Sequence, residues 1–194
     1  YQMEPGERGL IQRCQQGEAA AFDALMLRHQ QQVFAFALRM LGDYNEAKDV
    51  AQDTFVRAYR SIGTFRGEAK ISTWLLTITT NLCRNRRRWW ARRNAVIAVS
   101  LDEPTETDDG TLGQQVADSA TSPADEARRG EVRQQIIKAL ARLDAASREV
   151  VVLRDVQGLS YEDIAGILRC QVGTVKSRLN RARLKLKALL EGTL

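Results

Sequence analysis

Apolar residues recur at intervals of three and four positions along most of this chain, and that spacing gathers them on one side of an α-helix. One such stripe lies between Leu10 and Arg39, in one helix or two, and another lies between Asn45 and Ser61. Only three prolines interrupt the chain and aromatic residues make up 6% of it, a composition that favours helices over sheets. The pattern therefore predicts an all-α fold.

One stretch, residues 94–130, lacks this periodicity and divides the chain. It is rich in Asp, Glu, Ser, Thr and Gly, and residues 94–127 hold eight acidic side chains and no Lys or Arg. A structureless stretch of this length is unusual inside one compact domain. We therefore predict two small helical domains, residues 1–93 and 131–194, joined by a flexible acidic linker over residues 94–130.

Outside the acidic stretch, 29 basic residues stand against 16 acidic ones. Two places concentrate the positive charge: residues 84–93 read RNRRRWWARR, and residues 169–190 hold seven basic side chains and no acidic one. Crowded like charges repel one another without a counter-anion, so both places predict a nucleic-acid partner. A solvated helix end is the alternative for the first, and binding to a membrane or to a calmodulin-type protein is the alternative for the second.

The first basic stretch continues a helix with two distinct faces. The face predicted to pack inward comprises Ile71, Leu75, Ile78, Leu82 and Trp89, with Trp89 capping the core. The outer face changes from hydroxyl and amide side chains to arginine and comprises Thr73, Thr77, Asn81, Arg84 and Arg88. Arginines bind phosphates, and amides or aromatic rings contact unstacked bases, so this face suits a single nucleic-acid strand.

The second basic stretch belongs to a predicted helix-turn-helix over residues 159–187, which an amphipathic segment precedes. That segment has an apolar face of Val132, Ile136, Ala139, Leu140 and Leu143. Ser160 is predicted to cap a short helix, with Asp163 three residues later in a near capping box, and a turn follows around residues 169–173. In the longer helix, Val175, Leu179, Ala182 and Leu186 face inward. Its basic outer face fits the major groove of duplex DNA.

Residues that could carry other chemistry are scattered. The exposed face of the second helix is predicted to be solvated, with pairs of Asp49 or Asp53 with Arg57, and an acidic metal site is the alternative. His29 lies on an apolar stripe and is predicted to be a packed or boundary histidine. The three cysteines form no CxxC, so neither a disulfide framework nor a zinc site is expected.

An enzyme is not expected, because no nucleophile, base and phosphate-binding residues occur in a catalytic pattern. No metal or cofactor is expected either. No apolar run approaches the length of a membrane span and no charged-then-apolar leader opens the chain, so we expect a cytoplasmic protein with no membrane insertion.

Four motifs in this order carry a family resemblance. They comprise Ala47, Asp49, Gln52 and Phe55; Thr73, Trp74, Leu75, Ile78 and Asn81; Tyr161, Ile164 and Ala165; and Gly173, Thr174, Val175, Lys176, Ser177, Arg178, Arg181, Ala182 and Arg183. Together with the acidic stretch, they resemble a bacterial RNA polymerase sigma factor of the extracytoplasmic-function type. The resemblance covers nearly the whole chain and implies a transcription initiation factor that directs core RNA polymerase to specific promoters.

The resemblance also implies roles for individual residues. The second helix would dock on the clamp helices of the beta-prime subunit through Glu46, Asp49, Gln52, Asp53 and Arg57. The melted non-template strand of the minus-10 element would be held by Phe65, Thr73, Trp74, Thr77, Asn81, Arg84 and Arg88, with Asn81 reading an extruded base. The minus-35 duplex would be read by Thr174, Lys176, Ser177, Arg178, Arg181 and Arg183, while that domain rests on the beta flap.

Two further expectations follow from the resemblance. Sigma factors of this type are usually restrained by an anti-sigma protein, so such a partner is expected here. The alternative is a stand-alone helix-turn-helix regulator that binds duplex DNA without polymerase, as a dimer on a palindrome. That alternative leaves the motifs of the first half unexplained.

Overall fold

The computed structural model describes the backbone of residues 5–100 and 123–191. The helices are α1 (Pro5–Gln15), α2 (Ala19–Leu41), α3 (Tyr44–Ser61), α4 (Ile71–Ser100), α5 (Pro123–Ala141), α6 (Ala145–Val151), α7 (Tyr161–Leu168) and α8 (Val172–Glu191). A short 3-10 turn (Ile62–Thr64) follows α3, and a π-helical turn (Val152–Val156) follows α6. No strand occurs within these ranges, and the expected all-α fold is confirmed.

The N-terminal half is a bundle in which α2 contacts α1, α3 and α4. Gly42 ends α2 in the left-handed conformation, with φ of 77°, and its N–H donates to the carbonyl of Leu38. Asp43 then caps α3, since its carboxylate accepts a hydrogen bond of 2.8 Å from the backbone N–H of Glu46. This Gly-Asp pair makes a tight reversal between two long helices.

The helices extend into both ends of the stretch expected to be a linker. α4 continues through residues 94–100, and α5 begins at Pro123, so helix is present at both ends of residues 94–130. Residues 95–99 are alanine, valine and isoleucine, which let α4 continue, and proline is well suited to a first helical position. The middle of the acidic stretch, residues 101–122, lies outside the described residues.

The C-terminal half contains the expected helix-turn-helix. Ser160 caps α7: its hydroxyl accepts 3.0 Å from the N–H of Asp163 and donates 2.7 Å to the carboxylate of Asp163. Arg169 ends α7 in the left-handed conformation, with φ of 53°, and α8 starts three residues later. Val175, Leu179 and Ala182 of α8 are buried, as the spacing predicts.

The buried face of α5 differs from the expected one. Val132 and Ile136 are 49% and 41% exposed, whereas Ile137 is buried together with Leu140 and Leu143. The cause is that α5 packs against both α2 and α8, so its buried stripe is rotated by one residue at its start. The expectation that Val132 and Ile136 face the core is therefore wrong.

A shared hydrophobic core joins the two halves. A first cluster belongs to the N-terminal half alone, but a second joins Phe36 and Met40 of α2 to Leu140 of α5 and Leu179 of α8. The buried Arg148 strengthens this junction, because its guanidinium donates 2.7 Å to the carbonyl of Met40 and also to the carbonyls of Ala141 and Leu143. Burial lowers the pKa of Arg148 to about 10. The cation thus sits where two helices end, which the helix dipoles favour.

Asp144, the cap of α6, gives the fold a defined acid sensitivity. Its carboxylate accepts 3.1 Å from the N–H of Ser147 and 3.1 Å from Lys185 Nζ. Hydrogen bonding by Ser147, with a smaller contribution from Lys185, lowers the pKa of Asp144 to about 2. Because the folded pKa lies below the unfolded value, this stability is present above about pH 4 and is lost as the pH falls through about 2.

Replacing this cap is expected to lower the free energy of unfolding. Asp144→Ala should cost about 1 kcal/mol at pH 7, the typical value of an N-cap. By about pH 2 most of this difference should be gone, since the parent's carboxylate becomes protonated as the pH falls through its pKa of about 2. Urea unfolding at both pH values measures this, with Glu131→Ala as a control at an exposed position of α5. An equal loss at both pH values would contradict the assignment.

Candidate nucleic-acid interface

The face of α4 that was expected to meet a nucleic-acid strand is only partly exposed. Asn81 and Arg88 are exposed and Thr77 is half-buried, but Thr73 is 5% exposed. The first turn of α4 lies inside the bundle, packed by α2 and α3, so the expectation that Thr73 faces outward is wrong. The carbonyl of Thr73 accepts a hydrogen bond of 2.9 Å from the Thr77 hydroxyl.

The loop before α4 is built on an aromatic pair. The rings of Phe65 and Trp74 lie 5.2 Å apart and are tilted by 52°. Phe65 is 8% exposed, so its ring supports the loop from inside and is not available to an incoming base in this arrangement. Trp74 is half-buried beside it. Gly67, with φ of 73°, gives the loop a conformation that a side chain would strain.

The two neighbouring tryptophans lie in different surroundings, and Trp89 is not where the sequence predicts it. Trp89 is 44% exposed, and the guanidinium of Arg93 lies 5.2 Å from the centre of its ring. Trp90 instead packs against the shared core. Consecutive residues point about 100° apart on a helix, so a small rotation of α4 decides which indole is covered. The expectation that Trp89 caps the core is wrong, and Trp90 has that place.

Arginines of the first basic stretch are engaged to different degrees. Arg84 makes a two-pronged pair with Glu149 of α6: Nε lies 2.7 Å from Oε1 and Nη2 lies 2.6 Å from Oε2. These hydrogen bonds raise the pKa of Arg84. Arg86 Nε lies 2.9 Å from the carboxylate of Glu46. Arg88 is exposed, as are residues 91–95 that follow the tryptophans, so the positive charge available to solvent lies toward the end of the stretch.

The outer face of α3 is polar and accessible. Asp49, Gln52, Asp53 and Arg57 are all exposed, and within the described part of the chain neither aspartate forms an ion pair with Arg57. The expected pairs are therefore wrong, in keeping with the small stability that exposed pairs provide.

Large apolar side chains border this face. Val56 is 42% exposed and Tyr59 is 53% exposed, and both line a groove between α2, α3 and α5 to which Gln52 also contributes. Charged residues next to exposed apolar ones are typical of a surface that binds another protein.

The outer face of α8 presents most of the residues expected to contact a duplex. Lys176, Ser177 and Arg181 are exposed, and Thr174 and Arg178 are half-buried. The ammonium of Lys176 lies 5.6 Å from the centre of the Tyr161 ring. Arg183 pairs with Asp155, with Nε 3.0 Å from Oδ2, and these hydrogen bonds raise its pKa. Arg183 is thus less available than the other basic residues of the row.

Three other expectations can be compared with the structure. Within residues 5–100 and 123–191, no group of His, Cys, Asp and Glu side chains is arranged to hold a metal ion. In the same part of the chain, every helix is too short or too polar to serve as a membrane span. His29 is half-buried, and burial lowers its pKa.

Two protein-family models match this chain, one on either side of its acidic stretch. Residues 25–94 match Sigma-70 region 2, and residues 133–186 match Sigma-70 region 4. The chain belongs to the sigma-70 family. As a sigma factor it directs RNA polymerase to promoters, and its partners are core RNA polymerase and promoter DNA.

Other sigma factors are similar in sequence to this chain over nearly their whole length. It is 36% identical to the RNA polymerase sigma-H factor of Pseudomonas aeruginosa, over 91% of this chain and 90% of the relative. It is also 36% identical to the ECF RNA polymerase sigma-E factor of Haemophilus influenzae, over 91% of both chains. The sigma-E factor of Escherichia coli K12 is 33% identical, over 90% of this chain and 88% of the relative.

Two solved structures of similar shape are complexes with another protein. CnrH, bound to the cytosolic domain of CnrY, has a TM-score of 0.67 and 29% identity, over 96% of this chain and 97% of that one. RpoE of Bartonella quintana, bound to the anti-sigma factor NepR, has a TM-score of 0.66 and 29% identity, over 88% and 96% of the two chains.

Proposed function

We propose that three surfaces of this sigma factor divide the work of promoter recognition. The outer face of α3 docks on core RNA polymerase, on the beta-prime clamp helices that the resemblance implies. Its contact residues are Asp49, Gln52, Asp53 and Arg57, with Glu46 at the edge. The assignment is supported by the exposure of the four contact residues on α3, which lie beside the exposed side chains of Val56 and Tyr59. A face of this kind is suited to a protein partner.

We propose that α4 holds the melted non-template strand of the minus-10 element. Asn81 is exposed on α4 and reads an extruded base through its amide, while Arg88 contacts backbone phosphate. Thr77 and Trp74 are half-buried and border this surface. Thr73 and Phe65 are buried and support it from inside. Arg84 joins the surface only when it leaves Glu149.

We propose that α8 reads the minus-35 duplex from the major groove. Thr174, Lys176, Ser177 and Arg178 lie in its first two turns, where a recognition helix faces base edges. Arg181 and Arg183 follow on the same helix and reach phosphates. The half that carries α8 would rest on the beta flap.

The proposed role is binding and positioning, and the chemistry of RNA synthesis belongs to the polymerase. Opening duplex DNA costs roughly 1.4 kcal/mol per base step. Holding a base against the protein returns roughly 1 to 3 kcal/mol. A few captured bases and arginine contacts therefore balance the cost of melting. We infer no catalytic residue in this chain, and we place its action in the cytoplasm with the polymerase.

An anti-sigma protein is a further proposed partner. CnrH and RpoE, the structural relatives, are each held by another protein, which for RpoE is an anti-sigma factor. The groove between α2, α3 and α5 includes Gln52, Val56 and Tyr59, so a protein bound there would cover part of the proposed polymerase-docking face. Such a partner would compete with core polymerase.

Substitutions on α4 separate base reading from backbone binding. Asn81→Ala is expected to change preference at one minus-10 position by roughly 1 to 3 kcal/mol. Arg88→Ala is expected to weaken binding to all sequences alike and to lower the salt dependence by about one phosphate contact. Transcription by the reconstituted holoenzyme from a randomised minus-10 library measures the first effect, and binding at several salt concentrations measures the second. The assignment fails if Asn81→Ala lowers output equally on every sequence.

The proposed function as a whole is tested by reconstitution. The purified chain and core polymerase should together initiate from specific promoters, and neither should do so alone. If the free chain instead binds a palindromic duplex tightly as a dimer and does not associate with core polymerase, the residue assignments on α3 and α4 are withdrawn in favour of a stand-alone regulator.

A further inference from the structure

Helix α1 lies outside both matched regions, yet its last residue reaches the loop that precedes α4. The side-chain amide of Gln15 donates two hydrogen bonds to backbone carbonyls of that loop, 3.2 Å to Ile62 and 2.8 Å to Phe65. The N–H of Phe65 also donates 3.1 Å to the carbonyl of Ile62. One amide group therefore fixes both ends of the turn in which Phe65 lies.

The turn is held from two sides. Gln15 fixes its backbone, and the contact of the Phe65 ring with Trp74 fixes its side chain against the start of α4. Arg66 and Glu68, which follow, are exposed. A loop anchored in this way presents its exposed residues in one position, and a precise position is what the reading of a single base requires.

We propose that Gln15 is a positioning residue: it fixes the loop of residues 62–70, which the proposed function places at the melted strand through Phe65, and thereby sharpens discrimination of one base. The proposal rests on the proposed role of α4. Gln15 acts through the two carbonyls and does not touch DNA.

Gln15→Glu tests this, because glutamate has the same shape but cannot donate to the carbonyls. Gln16→Ala, at the exposed neighbouring position, is the control. With the holoenzyme and a randomised minus-10 library, Gln15→Glu should reduce discrimination roughly tenfold at one position, distinct from the position altered by Asn81→Ala. Preference in the minus-35 element and co-elution with core polymerase should stay unchanged.

The outcomes are distinguishable. If Gln15→Glu lowers output equally on all promoters, or leaves discrimination as in the parent, the positioning role is wrong. If the parent itself shows no minus-10 preference, the proposed function of α4 fails instead. Gln15→Ala supplies a second variant that lacks the introduced charge and should behave in the same way.

A second inference stands on a different contact, the pair between Arg84 and Glu149. Arg84 belongs to the half matched to region 2, and Glu149 belongs to the half matched to region 4. The side chain of Glu149 is 5% exposed and both of its oxygens accept from the guanidinium. The carboxylate of Glu149 thus makes with Arg84 the same kind of two-pronged contact that a phosphate group makes with an arginine.

Other contacts close the same junction. Arg148 donates to the carbonyl of Met40, and the side-chain amide of Gln32 donates 2.8 Å to that of Gln157. The shared core places Phe36 with Val150 and Leu153 in one cluster. The closed arrangement is therefore a packed interface with specific polar contacts.

We propose that Arg84 and Glu149 form an intramolecular latch, in which Glu149 competes with the promoter backbone for Arg84. The guanidinium cannot make its two-pronged contact with Glu149 and with a phosphate at once. The contact of Arg84 with DNA then requires the open form, so the open form binds the strand more tightly than the closed form and the closed fraction weakens the apparent affinity. Core polymerase favours opening if it holds the two halves apart.

Glu149→Gln tests the latch by removing its charge at nearly constant shape. The free variant should bind a single-stranded minus-10 oligonucleotide roughly tenfold tighter than the parent. Its salt slope should steepen by about 0.7, because Arg84 then neutralises one more phosphate. Its radius of gyration should exceed the roughly 16 Å of a compact chain of 194 residues.

Two further variants make the test decisive. Glu162→Gln removes the same charge from an exposed position of α7 and should leave the affinity, slope and radius at the parent's values. The exchange Arg84→Glu with Glu149→Arg should restore the compact radius and, lacking Arg84, bind the oligonucleotide weakly. If Glu149→Gln does not fold, the exchanged variant still shows whether a charge pair at these positions is compatible with folding.

The latch is wrong if Glu149→Gln keeps the parent's affinity and slope, or if the exchanged pair is as expanded as Glu149→Gln. If every form, including the expanded one, fails to bind the oligonucleotide while co-eluting with core polymerase, the proposed role of α4 fails and the closed interface is structural only.

Discussion

Replacing Asp49 with lysine is expected to abolish stable association with core RNA polymerase. Asp49 is exposed on α3 and forms no ion pair within the described residues, so its carboxylate is available to a partner. Reversing the charge places like charges against each other at a docking surface, which costs several kcal/mol. A loss of about 2.7 kcal/mol already weakens binding about a hundredfold. Co-elution of equimolar protein and core polymerase on size exclusion measures the result.

A matched control separates docking from folding. Glu68→Lys makes the same change of charge at an exposed position of the loop before α4 and should co-elute as the parent does. Both variants should unfold within about 0.5 kcal/mol of the parent, since exposed substitutions seldom cost more. Normal co-elution of Asp49→Lys would show that α3 does not use this residue to dock, while the family membership would stand.

The sequence predicted best those helices that have one buried face and one solvent-exposed face. In α3, Ala47, Val50 and Ala58 are buried as their spacing predicts, because one face of an amphipathic helix meets the bundle and the other meets solvent. The cap of α7 by Ser160 was equally readable, since a capping interaction spans only three residues. Features that depend only on residues close together in the sequence can be predicted from the sequence alone.

The start of α4 was harder to predict. α4 packs against both α2 and α3 at its start, so Thr73 is buried although its residue type and spacing suggest the outer face. Hydroxyl groups at Thr54 and Thr79 are buried too, each donating to the carbonyl four residues before it. A threonine that satisfies its hydroxyl in this way can be buried at little cost.

Contacts between the halves could not be derived from periodicity. Glu149 lies 65 positions from Arg84, and nothing in either segment identifies the other. One signal was present: Arg148 and Glu149 precede the run Val150, Val151, Val152 and Leu153, and charged residues against such a run are candidates for buried pairing. Gln15 gave no comparable signal, because a single glutamine at a helix end carries no pattern.

Phe36→Ala is expected to cause the largest loss of stability among these predictions. The side chain of Phe36 is 0% exposed and belongs to the core cluster that contains residues of α2, α4, α5, α7 and α8. Removing a buried phenylalanine costs about 3 to 5 kcal/mol, from lost transfer free energy and the cavity that remains. Urea unfolding should give a free energy of unfolding lower by that amount, with a correspondingly lower midpoint.

The same experiment tests whether the two halves share a core. All three tryptophans, Trp74, Trp89 and Trp90, lie on α4, and Trp90 packs against the shared core, so fluorescence reports α4 and that core while far-UV circular dichroism reports all helices. A shared core predicts that Phe36→Ala shifts both transitions together. Leu27→Ala, in the same helix but 63% exposed, should shift neither by more than about 0.5 kcal/mol. If only the fluorescence transition moved, the halves would unfold separately and Phe36 would stabilise the N-terminal bundle alone.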